Sequence, residues 1–389
     1  MPDLRERPLT ALSVKARTMS DTDVLVLVGN LFLVLLSLWV IRIFMRVLPY
    51  GMFDFNIFRN AGAAVLHGKS PWSVDGFIYP ATAAVAFVPF GALSFVWGGW
   101  IFVALIIAAT LGALWILDAR DWRCYALVLV SFPGRTSVTT GTLSGVCALL
   151  AAGVYRYRDD RLRAGVALTV GLATKLFLWP LGVWLLATRR ARTAISATAA
   201  MLLLLAVSWL VVGVSNYGSY RDSVREARQL ADVSYSPFAL VRSFGVSPTV
   251  ATLLVGAVGL AILSTSWFVK DEAITFTLAI LAALVMSPVL WIHYLVLLFV
   301  PIAIVRPKLS PLWFVPLLYG IIGLVPHPDG SHIRIGLVLG LMGLIFALIL
   351  RAAQSKPRLS LASRLQSPMR VPRSAPTGTA ALARGNPPS

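Results

Sequence analysis

Long apolar runs separated by short polar gaps cover most of this 389-residue chain. Many of them are long enough to cross a hydrocarbon core of about 30 Å as a helix. The runs lie near 24–48, 95–117, 124–132, 138–155, 164–188, 194–214, 247–268, 273–286, 289–305, 311–325 and 334–350. This pattern predicts an all-α polytopic membrane protein with about 12 transmembrane helices, or roughly 10–13 given the short runs. The polar gaps predict short outer loops and amphipathic helices.

Composition and charge agree with a membrane protein. The chain is 58% hydrophobic and only 13% charged, which excludes an ordinary soluble domain. Its net charge of +18 is concentrated in gaps such as 156–163 and 189–192, which the positive-inside rule assigns to the cytoplasm. The charge therefore predicts contact with membrane lipid and no nucleic-acid partner. Residues 1–23 are expected to form a cytoplasmic tail, 24–350 the membrane domain, and 351–389 a basic, disordered cytoplasmic tail.

The run 164–188 has the length of one span, yet Arg163 and Arg189 lie at its two ends. If both arginines are cytoplasmic, the run must be a hairpin of two short helices that turns near Thr174 and Lys175. The alternative is a single span with one basic end outside.

Two other short stretches affect the topology. Residues 81–93 are too few to cross alone and are expected to be re-entrant. Runs 124–132 and 138–155 are expected to pair, meeting outside near Gly134 and Arg135.

Few carboxylates fall on the predicted outer side. Of 16 in the chain, the outer ones are Asp54, Asp75, Asp222, Glu226, Asp232 and Asp329. The spans themselves carry essentially no acid, which counts against a proton- or sodium-coupled transporter. Asp222 and Glu226 are spaced i, i+4 among arginines in 219–230, a pattern typical of ion pairs on a surface helix.

Asp54 is the outer carboxylate closest to a span end, and it lies among Phe53, Phe55 and Phe58. Apolar surroundings raise the pKa of a carboxylate and improve it as a general base towards a hydroxyl. The alternative role is an N-cap on a helix over 55–67, and one residue could serve both purposes.

Several cations abut spans on the outer side, where positive charge is normally depleted: Arg42, Arg46, Arg135 and Lys175. They either snorkel to lipid headgroups or bind a lipid-linked phosphate. Lys175, at the predicted hairpin tip, is the best phosphate ligand. His293, near the outer end of a span, either bonds its neighbours or donates to a leaving group beside that phosphate.

The order of several motifs resembles glycosyltransferase family 87, whose best-known members are mycobacterial polyprenyl-phosphate-mannose-dependent mannosyltransferases. The first three, Asp54–Phe58, Gly68–Trp72 and Tyr79–Pro80, are similar to the family pattern D-x-x-V-Y, G-x-S-P-Y and Y-P-P. The resemblance continues at Gly141, Thr174-Lys175, Ser236-Pro237-Phe238 with Arg242, and Ser287-Pro288 with Trp291 and His293, and so covers about residues 50–305. The chain departs from the family at Thr142 (often Gln), at Leu176 (usually Pro), and in having a single histidine, His293, where a pair is common.

This resemblance implies a GT-C fold with its active site at the outer face of the cell membrane. The donor would be a sugar, most often mannose, linked through one phosphate to a polyprenol, and the acceptor a lipid or glycan. Transfer would invert the anomeric carbon without a metal or other cofactor. Asp54 occupies the position of the catalytic base. We expect Lys175, Arg135 and His293 at the donor phosphate, and substrate contacts from Tyr79, Trp72, Ser236, Arg242 and Trp291.

Two other functions remain open on the sequence. A polyprenyl-phosphate or lipid transporter would use the same cations without a base, and a membrane scaffold would use Asp54 only as a cap. The change Asp54→Asn separates catalysis from lipid binding.

Overall fold

The computed structural model describes three parts of the chain: residues 21–47, 51–325 and 330–355, except for the side chains at 21–25, 40 and 43–47. Predictions that fall outside the described residues concern the tails at 1–20 and 356–389, Asp329 and the side chain of Arg46. The described residues up to Ala353 belong to one compact unit.

The described residues form helices and no strands. In chain order the α-helices are α1 Asp21–Val47, α2 Phe53–Leu66, α3 Ala81–Ala86, α4 Val88–Gly91, α5 Phe95–Ile116, α6 Trp122–Val130, α7 Phe132–Thr140, α8 Ser144–Arg156, α9 Arg161–Thr174, α10 Trp179–Ala187, α11 Ala191–Val212, α12 Tyr217–Val233, α13 Pro237–Ser243, α14 Pro248–Ser264, α15 Glu272–Met286, α16 Phe299–Val305 and α17 His332–Gln354. The 3₁₀ segments are Pro71–Ser73, Leu176–Leu178, Val214–Asn216, Thr265–Trp267, Ile292–Leu298 and Pro311–Leu324. The all-α prediction is confirmed.

Fewer helices are long enough to cross a membrane than the sequence predicted. Within the described residues, four helices are long and apolar enough: α5, α11, α14 with its 3₁₀ extension, and α17. The count rises to five if α7 and α8 are taken as one bent span. The prediction of about 12 is not confirmed, because several apolar runs fold as short or 3₁₀ helices. Pro301 and Pro316 lie inside two of these runs, where proline interrupts the α-helical hydrogen bonds.

The polar gaps that were predicted to be cytoplasmic lie together at one end of the bundle, where ion pairs join them. An Arg156 Nη atom lies 4.0 Å from the Asp118 carboxylate. An Arg190 Nη atom lies 2.6 Å from Asp159 and 2.8 Å from Glu272. These pairs join four gaps that are distant in the sequence, so the gaps share one end of the bundle.

Helices α9 and α10 form the predicted hairpin. At its tip, Lys175 has an extended backbone (φ −156°, ψ 107°) that ends α9, and the 3₁₀ turn Leu176–Leu178 leads into α10. At its base, the Asp159–Arg190 pair joins the two ends of the segment. The chain therefore leaves and returns to the same end of the bundle, and the single-span alternative is wrong.

The turn expected near Gly134 and Arg135 is instead a whole helix, α7. The Ser131 hydroxyl accepts from the Gly134 N–H (3.1 Å) and caps it. Helix α7 makes an angle of 118° with α8. Gly141 lies between them at φ +69°, and a Cβ there would lie only 2.7 Å from Cβ of Phe55. Glycine therefore permits both the bend and the close approach of α2.

The stretch 81–93 forms the short helices α3 and α4, so the prediction that it does not cross alone is confirmed. Helix α4 lies against α2, where a Cβ on Gly62 would clash with the Phe87 carbonyl at 2.2 Å. Arg59 donates two hydrogen bonds, of 2.9 and 2.7 Å, to the Leu93 carbonyl. This outer arginine therefore fixes α2 to the end of α4.

Helix α12 contains the predicted charged surface helix at 219–230 and extends it at both ends. The Asp222 carboxylate lies 3.5 Å from an Arg225 nitrogen, so the expected pairing at Asp222 is confirmed. Glu226 forms no ion pair with any other described residue.

Candidate active site

A large cavity lies at the end of the bundle opposite the ion-paired gaps, with a volume of about 1870 Å³. Helices α2, α12 and α14 and the loops near residues 73–80 and 287–294 line it. Seven of the nine predicted site residues line this cavity: Asp54, Trp72, Tyr79, Lys175, Arg242, Trp291 and His293. Residues separated by more than two hundred positions in the sequence therefore share one space.

Asp54 lies in the first turn of α2 and does not cap the helix. The N-cap is Met52, in a left-handed conformation (φ 35°), with no side-chain capping bond. The Asp54 carboxylate is half-buried and makes no hydrogen bond to any other described residue. Burial raises the pKa of Asp54 to about 6, and the charge of Lys175 partly opposes that rise. The capping alternative is therefore wrong, and the carboxylate is available to a substrate.

Lys175 reaches the cavity from the hairpin tip. Its ammonium lies 3.5 Å from the ring centre of Tyr294 and 5.8 Å from those of Tyr79 and Phe177. Among the described residues, no carboxylate is within ion-pair distance of it. Aromatic faces thus take the place of a counter-ion, an arrangement that leaves the cation able to accept an anion.

Thr82 holds the hairpin tip in place. Its hydroxyl donates to the Ala173 carbonyl (2.7 Å), one of the last carbonyls of α9. This bond attaches α3, which directly follows Tyr79 and Pro80, to the segment that carries Lys175.

Trp72 supports the loop that carries Tyr79. Its indole N–H donates to the Tyr79 carbonyl (3.1 Å). Its ring stacks on Trp209 with centroids 4.9 Å apart and lies 5.2 Å from Tyr220. The indole is buried, so it positions Tyr79 more than it offers surface to a substrate.

Ser236 is buried and does not line the cavity. Its hydroxyl donates to the Pro288 carbonyl (2.9 Å) and accepts from the Ala239 N–H (3.0 Å), which caps α13. The Tyr235 N–H donates to the Leu290 carbonyl (2.8 Å) in the same way. Ser236 therefore joins two loops and acts on the site through them, whereas the sequence predicted direct substrate contact.

Trp291 ends the second of these loops, and His293 lies in the 3₁₀ segment Ile292–Leu298 that follows it. The Trp291 ring is half-buried and packs edge-on to Tyr235. His293 is buried, with its ring 4.9 Å from that of Tyr294. His293 therefore lies directly beside the tyrosine that packs against the Lys175 ammonium.

Arg242 lines the cavity but is already paired. Its guanidinium lies 3.0 and 3.4 Å from the two oxygens of Asp232 and donates to the Val246 carbonyl (2.7 Å). The pairing occupies the Asp232 carboxylate, which makes it a weaker candidate base than Asp54.

Arg135 does not line the cavity. Its guanidinium lies 5.8 Å from the Trp39 ring and 5.3 Å from the Phe132 ring, against α1. Thr136 and Thr140, on the same helix, line the cavity instead. The helical turn at α7 points its arginine away from Lys175, which local sequence could not reveal.

A known protein family matches this chain. The family model for glycosyltransferase family 87 matches residues 77–290, which is more than half of the chain. The chain belongs to glycosyltransferase family 87. It is therefore a membrane glycosyltransferase. No curated protein and no solved structure matches it. Of the family 87 motifs quoted above, Tyr79, Lys175 and Ser236 lie inside the matched segment, and Asp54 lies before it.

Sequence reasoning did not include Tyr294 among the site residues of this family 87 protein. Its ring is the closest one to the Lys175 ammonium. The sequence offered one signal for Tyr294, its place directly after His293. The contact itself could not be predicted, because it joins residues 119 positions apart.

In the described part of the chain, no three His, Cys, Asp or Glu side chains are grouped closely enough to hold a metal ion. Among the described residues, the lysine and arginine side chains that line the cavity are Lys175, Arg228 and Arg242, from three different helices or turns.

Proposed function

We propose that this glycosyltransferase transfers a hexose, with mannose the expected sugar, from a polyprenyl-phosphate donor to a lipid or glycolipid acceptor. The reaction is inverting and needs no metal. One observation carries the proposal: Asp54 and Lys175 face the same cavity, and among the described residues neither has an ion-pair partner.

Asp54 supplies the base. An acceptor hydroxyl is a weak nucleophile until its proton is drawn off during attack, and a pKa near 6 leaves Asp54 ionised yet basic at neutral pH. The hydroxyl oxygen forms a bond to the anomeric carbon, its proton passes to Asp54, and the bond from that carbon to the phosphate oxygen breaks. One displacement of this kind inverts the configuration.

Lys175 stabilises the leaving group. The departing polyprenyl phosphate gains negative charge, and the ammonium can move from the Tyr294 face to pair with it. His293 lies close enough to Tyr294 to join the same contact.

The basic gaps support an extracytoplasmic site. They share the end of the bundle opposite the cavity, and positive-inside charge assigns that end to the cytoplasm. Polyprenyl-phosphate donors and lipid acceptors would then meet the enzyme at the outer surface of the cell membrane.

Asp54→Asn tests the base in proteoliposomes supplied with polyprenyl-phosphate-mannose and extracted membrane lipid. Turnover should fall at least about 100-fold while donor binding persists. The pKa of Asp54 in the folded state, about 6, lies above its ordinary value of 3.8, so stability is lost as the pH rises from about 4 to about 6. The asparagine variant does not ionise and should be at least as stable as the parent at pH 7.

Asp75→Asn is the matched control, because Asp75 is an exposed carboxylate on the same cavity. It should retain near-parental turnover. Normal turnover by Asp54→Asn would overturn the base assignment and make Asp232 or Asp75 the next candidate base.

A further inference from the structure

The ring of Tyr294 lies directly against the Lys175 ammonium. The ammonium is 3.5 Å from the centre of that ring and 5.8 Å from the centres of the Tyr79 and Phe177 rings. Tyr294 is buried, and its ring packs on Phe177 with centroids 5.5 Å apart. Its backbone N–H donates to the Trp291 carbonyl (3.0 Å). The ring is therefore a fixed support, whereas the four-carbon stem of the lysine is flexible.

Asp54 is close enough to Lys175 to attract it. Both side chains line the cavity, and the charge of Lys175 opposes the rise in the pKa of Asp54 that burial causes. Tyr79 lies near both groups: burial raises the pKa of its hydroxyl well above the usual value, and the nearby Tyr294 and Asp54 raise it further. Yet neither Asp54 nor Lys175 has an ion-pair partner among the described residues. In a partly enclosed cavity a free ammonium would pair with such a carboxylate, because water screens their attraction weakly.

Other ionisable groups near the two residues are buried, paired, exposed to water or turned away. Cys147 on α8 and His293 are buried, and both are electrostatically coupled to Lys175. Arg135, on the neighbouring α7, faces α1. The other acidic and basic side chains that line the cavity in the described part of the chain are exposed or already paired: Asp75, Glu226, Arg228, Asp232 and Arg242. The titration of Asp54 therefore reports mainly on the position of Lys175.

We propose that Tyr294 is a positioning residue that keeps the Lys175 ammonium apart from Asp54 until the donor phosphate arrives. The inference rests on the proposed function, in which the two groups act separately, one on the acceptor and one on the leaving group. An ion pair between them would make the carboxylate a weaker base and would occupy the cation that binds the phosphate. The ring face attracts the ammonium without carrying a full charge, so a phosphate can displace it.

The test measures the titration of Asp54 without turnover. A hydrophobic carbodiimide reacts with a protonated carboxyl, so its labelling of Asp54 across a pH series, read by peptide mass spectrometry on the unliganded enzyme, gives a midpoint. Tyr294→Leu should lower that midpoint by about one pH unit, because the released ammonium pairs with the carboxylate. It should also raise the donor KM about tenfold. Tyr294→Phe should match the parent in both, since the Tyr294 hydroxyl forms no hydrogen bond with another described residue.

Two further variants separate the attraction of the ring from its packing. Replacement of Tyr294 by 3,4,5-trifluorophenylalanine keeps the shape of the ring and weakens the negative charge of its face. Its midpoint and donor KM should lie between those of Tyr294→Phe and Tyr294→Leu, whereas a purely structural role would leave it like Tyr294→Phe. In a Lys175→Ala background, Tyr294→Leu should leave the midpoint unchanged, because the ammonium is gone.

A Tyr294→Leu midpoint equal to the parental one, or higher, would overturn the positioning role. So would a trifluorophenylalanine variant that matches Tyr294→Phe in both measurements, and this variant decides alone if Tyr294→Leu does not fold. A parent enzyme that transfers no sugar from polyprenyl-phosphate-mannose would overturn the proposed function, while the labelling midpoints would still show whether Tyr294 separates the two charges.

Discussion

Asp54 and Lys175 are opposite charges that face one cavity without forming an ion pair. Within the part of the chain that the structure describes, the Asp54 carboxylate accepts no hydrogen bond, and the Lys175 ammonium lies against aromatic faces. Both groups therefore remain able to bind a substrate. Their mutual influence is electrostatic, since the charge of Lys175 lowers the pKa of Asp54 against the larger effect of burial. Because of this coupling, the pH dependence of catalysis tests the roles of both residues.

We expect kcat/KM to fall with pH below about 6, because the base works only when Asp54 is ionised and its pKa is about 6. The slope should be about tenfold per pH unit on the acid side, with a plateau above. Steady-state rates from pH 4.5 to 8 measure it. An acid limb that is absent in this range would contradict the assignment.

Lys175→Ala should weaken donor binding by a few kcal/mol, the order expected for a lost charge contact to a phosphate. It should also move the acid limb to higher pH, since the alanine removes a charge that lowers the pKa of Asp54. Lys69→Ala, at an exposed lysine that does not line the cavity, is the control. Donor affinity unchanged in Lys175→Ala would count against the phosphate site.

At the scale of elements, the site depends on how α2 meets the bend between α7 and α8. The Met52 N–H donates to the Thr139 carbonyl (2.9 Å), and Gly141 lies against Phe55. The first turn of α2, which carries Asp54, is thereby fixed from outside its own helix.

Gly141→Ala should reduce turnover strongly because its Cβ would displace Phe55 and with it the first turn of α2. Gly245→Ala is the control that separates backbone strain from the clash with Phe55. Gly245 has a similar positive φ (+79°), but nothing lies within 4 Å of the added Cβ. Left-handed backbone should cost each variant roughly 1–2 kcal/mol of stability, measured by thermal unfolding in detergent. The clash with Phe55 should add to this loss in Gly141→Ala. Equal turnover in the two variants would show that the contact with Phe55 does not position Asp54.

At the scale of the molecule, ion pairs mark one end of the bundle and the cavity marks the other. The pairs are half-buried at Arg190 and Glu272, and they hold the base of the hairpin whose tip carries Lys175. The distribution of charge thus sets both the orientation of the chain and the position of one site residue.

Cysteine labelling in intact cells tests the orientation. We expect Asp75→Cys to react with an impermeant thiol reagent from outside and Arg161→Cys only after permeabilisation, since both positions are exposed at opposite ends. The native Cys124 and Cys147 are buried and should give little background. The reverse labelling pattern would invert the topology and place the cavity in the cytoplasm.

The sequence by itself determined what depends on local composition and charge. Apolar runs and basic gaps predicted an all-α membrane protein, the break at Lys175 and the failure of 81–93 to cross. Run length and charge bear directly on whether a segment can be buried in lipid. Asp54 was also identified from local sequence, because it is an outer carboxylate among aromatic residues.

Only the tertiary structure decided which side chains meet. It brought Tyr294 to the Lys175 ammonium, paired Asp232 with Arg242, and turned Arg135 away from the cavity. It also formed short and 3₁₀ helices where the apolar pattern predicted spans. These outcomes depend on the packing of distant segments, and the apolar pattern of one segment does not specify the partners against which it packs.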